Sequence, residues 1–380
     1  MPNKKRILVF AEYYLPGIKG GGPITTIKNM VDALSDFFEF RIVTLDRDLG
    51  DKEPYKGIKK GWNEVGDASV LYLGPKEIKI SKFIKILKEE EYDAIYFNSF
   101  FSVKFTLKPL IAYKRLKLEK QVIIAPRGEF SKGALQLKSH IKKLYLMIAR
   151  KLFPLNKVIF QASSEFEKND IKAIFKEANV VIAPNIRTQP IENLPFENKT
   201  KGMLKIVFLS RISPKKNLLY ALEVLKEIKG ELYFEIYGPI EDKEYWNKCN
   251  EIIKNLPANV KVSYCGQINH DRVIETMNNY HLFFLPTLGE NYGHVIHEAL
   301  LAGCPVLISD QTPWKDLQKK GVGWDIPLKQ KEEFTKAISF MIQLSNKEFR
   351  ELSKKARQYG AEVSRDKTVI EANKNLFRKS

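Results

Sequence analysis

The feature that most constrains this fold is a repeated alternation between short apolar runs and segments of helical periodicity. Segments with helical period, such as Ile24–Leu34 and Leu135–Leu152, lie between most of the apolar runs. Continuous apolar strands separated by helices are typical of a parallel sheet that is covered on both faces. The sequence therefore predicts an α/β fold. The first group of strand-length runs is Arg6–Ala11, Phe40–Thr44, Val70–Leu73, Ala94–Phe97, Val122–Ala125, Lys157–Gln161 and Val180–Ala183.

The alternation is interrupted once, between Asn185 and Lys201, where two prolines and many polar residues show no period. A chain of 380 residues also exceeds the ~250–300 residues that one core normally serves. The prediction is therefore two doubly wound, Rossmann-like domains that face a cleft. They are an N-terminal domain over 1–187, a linker over 188–203, a C-terminal domain over 204–365, and a helical tail over 366–380 for which packing against the N-terminal domain is one expected arrangement.

A formal net charge of +18 requires a negatively charged partner, which could be nucleic acid, anionic lipid or a phosphorylated small molecule. The excess is concentrated in residues 101–150, which carry twelve Lys and Arg residues against two acidic residues. Because Lys outnumbers Arg 50 to 13 in the whole chain, a general lysine bias explains part of this charge. The alternative is that an anionic surface or substrate docks there.

Several protein classes are excluded by short sequence features. The apolar run that follows Arg6 is too short for the core of a signal peptide, and no window approaches the ~20 apolar residues of a membrane-spanning helix. Three widely spaced cysteines favour neither a disulfide framework nor a zinc site. We therefore expect a cytoplasmic protein.

In doubly wound sheets, ligands bind in the loops that follow the strands. The first such loop contains Gly20-Gly21-Gly22-Pro23 before a helix, where glycine lets the backbone approach a ligand and the helix N-terminus favours an anion. A loop after the strand Lys205–Leu209 places Arg211 and Lys216 at a helix entry. A guanidinium fork and an ammonium charge suit a diphosphate.

The third loop contains two carboxylates, Glu290 in the loop and Glu298 in the following helix. Glu298 has apolar neighbours in sequence and needs a partner, which ligand hydroxyls would provide. The helix N-terminus at Asn291, Tyr292 and Gly293 offers N–H groups to an anion. The order His294-x-x-His297-Glu298 differs from zinc-protease motifs, so no metal site is predicted.

These motifs, taken in order, resemble those of the GT-B retaining glycosyltransferases of family 4. The resemblance is carried by Gly20–Pro23, by Arg211 with Lys216, and by Glu290-x7-Glu298 before the Ala-x3-Gly-x-Pro-Val segment, and it covers nearly the full length. Two further stretches, 291–296 and 309–314, resemble a bacterial branch that works in surface-polysaccharide synthesis.

The resemblance implies a metal-independent enzyme without a cofactor, whose substrate is a nucleotide-sugar donor, most often a UDP-sugar. Arg211 and Lys216 match the pair that holds the diphosphate, Glu290 the contact to the donor sugar, and Glu298 the acceptor of the ribose hydroxyls. Retention is implied to proceed by front-face attack, in which the leaving phosphate takes the acceptor's proton. The predicted catalytic residues are Glu290, Arg211, Lys216 and Arg127, and the predicted donor-binding residues are Gly21, Gly22, Glu298, Asn291, Tyr292, Gly293 and Gly238.

Two positions depart from the family pattern. Arg127, in Ala125-Pro126-Arg127-Gly128-Glu129, stands where many members have a His near the donor sugar. Its charge could hold a carboxylate or phosphate of a substrate, or only pair with Glu129. Gly238, in Tyr237-Gly238-Pro239, stands where Gly-x-Gly is more usual, which bears on base or phosphate contacts.

The expected acceptor is a glycan or a polyprenyl-linked sugar, and the expected location is the inner face of the plasma membrane, because Leu135–Leu152 mixes apolar and basic residues as an interfacial helix does. Nucleic acid is not an expected partner, since no recognition motif or stacking platform accompanies the charge. Two other functions stay open: a GT-B-fold nucleotide-sugar epimerase or phosphorylase-like enzyme, and a non-catalytic nucleic-acid-binding protein.

Overall fold

A computed structural model describes residues 4–131, 135, 139–152, 158–191, 193–290 and 292–378. The chain divides into two compact units. Unit 1 comprises Met1–Ile186 and Asp366–Ser380, and unit 2 comprises Arg187–Arg365. The segment 188–203, for which the sequence predicts a linker, falls in unit 2 by this division.

Unit 1 is built on an eight-stranded sheet in the order β3-β4-β2-β1-β5-β6-β7-β8. All neighbouring strands are parallel except the antiparallel pair β3–β4 at one edge. Its elements are β1 (Lys5–Phe10), α1 (Gly22–Leu34), β2 (Phe38–Leu45), β3 (Trp62–Val65), β4 (Ala68–Leu73), α2 (Ile80–Glu89), β5 (Ala94–Phe97), α3 (Lys108–Arg115), β6 (Gln121–Ile124), α4 (Ser139–Leu152), β7 (Val158–Ala162), α5 (Glu165–Ile174), β8 (Asn179–Ile182) and the C-terminal helix α13 (Lys367–Arg378).

Unit 2 is built on a six-stranded, fully parallel sheet in the order β11-β10-β9-β12-β13-β14. Its elements are β9 (Met203–Leu209), α6 (Leu218–Leu225), β10 (Glu231–Tyr237), α7 (Lys243–Lys254), β11 (Val260–Gly266), α8 (Val273–Met277), β12 (Leu282–Leu285), α9 (His294–Leu301), β13 (Val306–Ser309), α10 (Leu317–Lys320), β14 (Gly323–Ile326), α11 (Lys331–Gln343) and α12 (Asn346–Ser364).

The central strands explain why the sequence predicts parallel sheets. Every residue of β5 and of β12 is buried, as a strand with helices on both faces requires. In unit 1 the apolar side chains form two separate clusters, one containing Leu8 and Phe97 and the other containing Val9 and Tyr96, because successive residues of a strand point to opposite faces. The α/β prediction is confirmed in both units.

The order of each sheet reverses once. In unit 1 the reversal lies between β1 and β5, and in unit 2 it lies between β9 and β12. Loops that leave the carboxyl ends of such neighbouring strands diverge to opposite faces of the sheet and leave a crevice in which ligands bind. The topology therefore points to the loops after β1 and β5 in unit 1 and after β9 and β12 in unit 2.

The C-terminal helix α13 belongs to unit 1, although it follows unit 2 in sequence. Its Phe377 is fully buried, with ring centroids 5.4 Å from Phe38 and 5.8 Å from Tyr96. Asn373 Nδ2 donates to the carbonyl of Pro184 at 2.8 Å. Within the described parts of the chain, no helix combines the length and the apolarity that crossing a membrane demands.

Candidate active site

The loops after β9 and β12 are joined to each other at the carboxyl edge of the unit 2 sheet. The Asn217 side chain donates to the carbonyl of Pro286 at 3.0 Å, and Thr287 Oγ1 donates to the carbonyl of Lys215 at 3.1 Å. Asn217 adopts a left-handed conformation with φ of 60°, which asparagine tolerates better than most residues. Two segments that are about seventy residues apart in sequence are thereby fixed as one rim.

Lys216 and Glu290 form an ion pair on this rim, between Nζ and Oε1. Their side chains are only 11% and 12% exposed, so the pair is largely shielded from water. The backbone N–H of Glu290 donates to the carbonyl of Gln311 at 3.0 Å, which ties the loop after β13 to the same rim. The structure thus brings together two residues that the sequence predicts to be catalytic.

Arg211 lies on the same loop as Lys216 and is more exposed. Its Nη1 donates to Oε1 of Glu241 at 2.9 Å, and the two side chains are 36% and 40% exposed. Glu241 comes from the segment after β10, and its role as a partner is not evident from the sequence. Screening by water makes such a pair weak, so an anionic ligand can compete with Glu241 for the guanidinium.

Gly238 is held against the backbone of the Arg211 loop. A Cβ at this position would lie 1.9 Å from the carbonyl oxygen of Ser210, and the φ of Gly238 is 133°. The N–H of Ser210 donates to the carbonyl of Tyr237 at 3.0 Å. Only glycine fits this approach, so the observed role of Gly238 is to seat the loop that carries Arg211.

Glu298 lies on α9 and is almost completely buried. The sequence predicts that it needs ligand hydroxyls as partners, but the structure gives it His270, whose Nε2 lies 3.1 Å from Oε1. Thr188 Oγ1 also lies 3.5 Å from Oε1. Burial alone would raise the pKa of Glu298, but the contact with His270 and the electrostatic influence of the neighbouring histidines lower it overall. The carboxylate is therefore ionised and remains an acceptor.

Helix α9 begins at His294, and its N-cap Gly293 has a φ of 77°, a left-handed conformation that favours glycine. The carbonyl of Tyr292 accepts a hydrogen bond from Trp314 Nε1 at 2.7 Å, which fixes the entry to the helix. Asn291, a predicted donor-binding residue, lies outside the described residues. His297 Nε2 lies 3.0 Å from the carbonyl of Gly360, and burial lowers its pKa to about 4, so it is a neutral packing residue.

In unit 1, Gly21 and Gly22 form the start of α1. Gly21 is the N-cap with a φ of 66°, and no side chain caps this end. The loop before it is held by Asp48, whose Oδ2 accepts the backbone N–H of Ile18 at 2.6 Å and that of Lys19 at 3.0 Å. Asp48 is a positioning residue that sequence analysis missed, because nothing in the sequence reveals its distant contact.

Arg127 follows β6 in unit 1, and it does not pair with Glu129. The Glu129 carboxylate instead accepts the hydroxyl of Ser99 at 2.7 Å and the backbone N–H of Phe100 at 2.6 Å. Arg127 Nε donates to Asn98 Oδ1 at 2.9 Å, and its Nη atoms donate to Asn185 Oδ1 and to the Tyr96 hydroxyl. A pairing of Arg127 with Glu129, one of the alternatives from the sequence, is therefore wrong. The Glu129 carboxylate accepts hydrogen bonds from the backbone N–H groups of Phe100 and Phe101 instead.

The predicted residues thus form separate groups. In unit 2, Arg211, Lys216, Glu290 and Gly238 belong to one rim, and Glu298 and Gly293 lie on or beside the helix that leaves it. Gly21, Gly22 and Arg127 belong to unit 1. Within the described residues, no three His, Cys, Asp or Glu side chains cluster as ligands for a metal ion.

Two Rossmann-like, parallel-sheet units of this kind define the GT-B class of glycosyltransferase folds. Residues 190–362, which are nearly the whole of unit 2, match the family model for glycosyl transferases group 1. The match spans somewhat less than half of the chain. No curated protein sequence matches the chain.

Three solved structures illustrate the fold. HepE from Anabaena, in complex with UDP-glucose, superimposes with a TM-score of 0.70 at 15% identity and covers 99% of this chain and 100% of its own. Sucrose-phosphate synthase from Thermosynechococcus elongatus gives a TM-score of 0.70 at 15% identity, with 99% of both chains covered. The lipopolysaccharide outer core galactosyltransferase WaaB gives 0.62 at 15% identity and covers 99% of this chain and 100% of its own.

Proposed function

We propose that this protein is a retaining glycosyltransferase of family 4 that transfers a sugar from a UDP-sugar to a lipid-linked or polysaccharide acceptor in cell-surface glycan synthesis. The observation that carries the proposal is the rim of unit 2, where Arg211, Lys216 and Glu290 lie at the reversal of the sheet order. Support comes also from the group 1 domain and from the fold shared with HepE, which binds UDP-glucose, and with WaaB, a lipopolysaccharide galactosyltransferase.

The charges of the rim suit a nucleoside diphosphate. Lys216 has three N–H donors, of which one serves Glu290, so phosphate oxygens can bind without breaking the pair. Arg211 exchanges the exposed Glu241 for the diphosphate. Because the buried ion pair keeps both ends fixed, the cation can stabilise the charge of the departing phosphate while Glu290 accepts a hydroxyl of the donor sugar.

The remaining groups orient the nucleotide and the acceptor. Glu298 accepts the ribose hydroxyls through its ionised carboxylate, and the N-terminus of α9 beside Gly293 favours the negative end of the donor. Cationic side chains and helix dipoles perform the work that a metal ion would do, so we propose that transfer needs no added metal. No protein nucleophile is assigned, since the leaving phosphate takes the acceptor's proton.

The test is a binding screen of the full chain against a panel of nucleotide sugars by ligand-observed NMR, followed by transfer assays with polyprenyl-linked acceptors in the presence of EDTA. We expect UDP-sugar binding, and a loss of binding of about tenfold or more in Arg211→Gln. The matched control is Lys229→Gln, which removes one exposed positive charge from the loop between α6 and β10 of the same unit.

Several outcomes would contradict the proposal. If Glu290→Gln and Lys216→Ala both leave the transfer rate unchanged, the site assignment is wrong. If the donor is converted without any acceptor to an epimer, or to a sugar phosphate with inorganic phosphate, the chemistry is that of an epimerase or phosphorylase. Salt-dependent binding of DNA of arbitrary sequence in a gel-shift assay, without any binding of UDP-sugars, would favour a non-catalytic nucleic-acid-binding protein.

The same proposal includes docking of unit 1 on an anionic membrane surface through α4. Leu144, Met147 and Ile148 are spaced at i, i+3 and i+4 of this helix, and are 54%, 54% and 37% exposed. They therefore form an apolar stripe that is open to solvent. The sequence of the same helix also contains Lys142, Lys143 and Arg150, and a helix that combines an exposed apolar stripe with basic residues is the pattern of one that lies in a lipid interface.

Vesicle flotation tests this part separately. We expect the full chain to float with phosphatidylglycerol vesicles, and the double variant Leu144→Asp with Met147→Asp to lose most of this binding. Phe340→Asp, at an exposed apolar position of unit 2, is the control. Equal binding to neutral phosphatidylcholine vesicles would count against an electrostatic contribution.

A further inference from the structure

The backbone at Arg127 has an unfavourable conformation for a residue with a side chain. Its φ is 55° and that of the following Gly128 is 77°, so two successive residues are left-handed. The N–H of Gly128 donates to Glu167 Oε1 at 2.6 Å, which holds this turn in place. Residues held in such regions cluster at functional sites, where the surrounding structure compensates for the strain.

The guanidinium of Arg127 is held by three neutral oxygens. Nε donates to Asn98 Oδ1 at 2.9 Å, and Nη1 and Nη2 donate to Asn185 Oδ1 and the Tyr96 hydroxyl. Tyr96 donates its own proton to Gln161 at 2.7 Å, and burial raises its pKa, so its hydroxyl oxygen accepts as a neutral group. A guanidinium has five N–H donors, so each terminal nitrogen keeps one for another partner.

None of the carboxylates within the described residues forms an ion pair with Arg127. The two carboxylates that contact the backbone around this turn are committed elsewhere: Glu129 to Ser99 and the backbone of Phe100, and Glu167 to Gly128 and Ser163. The positive charge is therefore oriented by neutral groups and not cancelled by a neighbour. This arrangement is suited to a ligand oxyanion, which a fixed planar fork binds through two hydrogen bonds.

The location of Arg127 also favours a ligand. Asn98, which orients Arg127 through its Oδ1, donates through Nδ2 to the carbonyl of Pro23 at 3.2 Å. Asn98 follows β5 and Pro23 lies in the first turn of α1 after β1, and these are the two strands between which the sheet order of unit 1 reverses. Arg127 is thus linked by one side chain to the crevice in which such sheets bind ligands.

We propose that Arg127 is an oxyanion-binding residue of unit 1 and that the acceptor substrate carries a carboxylate or phosphate group that it recognises. The identification of the ligand as the acceptor substrate rests on the proposed function, but the oxyanion site itself is inferred from the contacts of Arg127. A packing role would need only the three hydrogen bonds, whereas recognition also needs the charge and the fork, and this difference is measurable.

The experiment compares the binding of glucose, glucuronate and glucose 6-phosphate to the full chain by saturation-transfer NMR at fixed ionic strength, with UDP present. The glucuronate arm reports a carboxylate, and the glucose 6-phosphate arm reports a phosphate. We expect at least one anionic sugar to bind about tenfold more tightly than glucose. Arg127→Gln should abolish this preference, and Arg127→Lys should retain only part of it, because the charge stays and the planar fork is lost.

Arg115→Gln is the matched control, since it removes the same charge from the exposed surface of α3 in the same unit. Three results would each overturn the proposal. They are the loss of the preference for the anionic sugar in Arg115→Gln, an unchanged preference in Arg127→Gln, and the absence of any preference in the natural protein. A melting temperature and UDP affinity retained in Arg127→Gln would exclude unfolding as the cause. Failure of the donor site is read separately, from UDP-sugar binding to the natural protein and to Arg211→Gln.

Discussion

At the scale of single residues, the site depends on buried groups that are held by specific polar neighbours. Glu298 is almost completely buried, and its nearest ionisable partner is His270, which comes from the turn before α8. A buried carboxylate that loses its hydrogen-bond donor is costly, because no water replaces the donor. His270 is therefore a positioning residue for Glu298.

Replacing His270 tests this dependence. We expect His270→Leu to lower the free energy of unfolding of unit 2 by about 1–3 kcal/mol and to weaken UDP binding, while His270→Gln retains a donor and loses less. Urea unfolding can be followed by the fluorescence of Trp246, Trp314 and Trp324, all in unit 2. The double variant with Glu298→Gln should lose less than the sum of the single losses, and simple additivity would argue against the pair.

A second buried histidine gives unit 2 a dependence on pH. His281 Nδ1 accepts the N–H of Lys205 at 3.0 Å, and its Nε2 lies 3.1 Å from the carbonyl of Asn198. The neutral ring satisfies both contacts, whereas a protonated Nδ1 would face another N–H. Burial is the main reason that the pKa of His281 is lowered from 6.5 to about 4.

Between pH 6.5 and about 4 the unfolded chain therefore binds a proton at this position that the folded chain does not. The free energy of unfolding should consequently decrease as the pH is lowered through this window. This group alone accounts for a decrease of about 1.5 kcal/mol from pH 6.5 to pH 5. His281→Asn keeps an acceptor for Lys205 without titrating, and the difference in stability from the natural protein should shrink over the same range. A constant difference would refute the assignment to His281.

At the scale of elements, the strands that the apolar runs predict are found within two residues at each end, as for β1 and β2, and β5 has the predicted bounds. The strand β3 was missed because Trp-Asn-Glu-Val is not an apolar run, and no residue in it is fully buried. The GT-B loops were located by motif, but their partners were not. Glu241, His270 and Asn98 reach the predicted site residues through tertiary contacts that no spacing in the sequence encodes.

Gly238, which follows β10, is predicted to hold the loop that carries Arg211 in place. Gly238→Ala would place a Cβ 1.9 Å from the carbonyl oxygen of Ser210, so the loop that carries Arg211 must move. We expect a loss of about 3 kcal/mol in the stability of unit 2 and a clear fall in UDP-sugar affinity.

The control for this prediction is Gly266→Ala, at the end of β11. Gly266 also has a positive φ, of 79°, but a Cβ there would meet nothing within 4 Å. It should cost about 1 kcal/mol and leave donor affinity unchanged. Equal effects of the two substitutions on UDP-sugar binding would mean that the contact with Ser210 does not matter.

At the scale of the whole molecule, the chain does not divide into two consecutive domains, because it leaves unit 2 at Arg365 and returns to unit 1. Helical period in 367–378 predicts a helix, but periodicity does not say which unit the helix joins. That choice is made by packing. Phe377 fills a space between Phe38, Phe40 and Tyr96 on one face of the unit 1 sheet.

Helix α13 is accordingly part of the core of unit 1, although the rest of that unit is formed by the N-terminal half of the chain. Phe377→Ala removes a fully buried ring, and we expect a loss of about 3–5 kcal/mol in the stability of unit 1 with little change in unit 2. Hydrogen exchange followed by mass spectrometry should then show faster exchange in β1, β2 and β5 and unchanged exchange in β9 and β12. Asn375→Ala, an exposed substitution on the same helix, is the control and should alter neither unit. Faster exchange confined to 367–378 would mean that the helix lies on unit 1 without stabilising it.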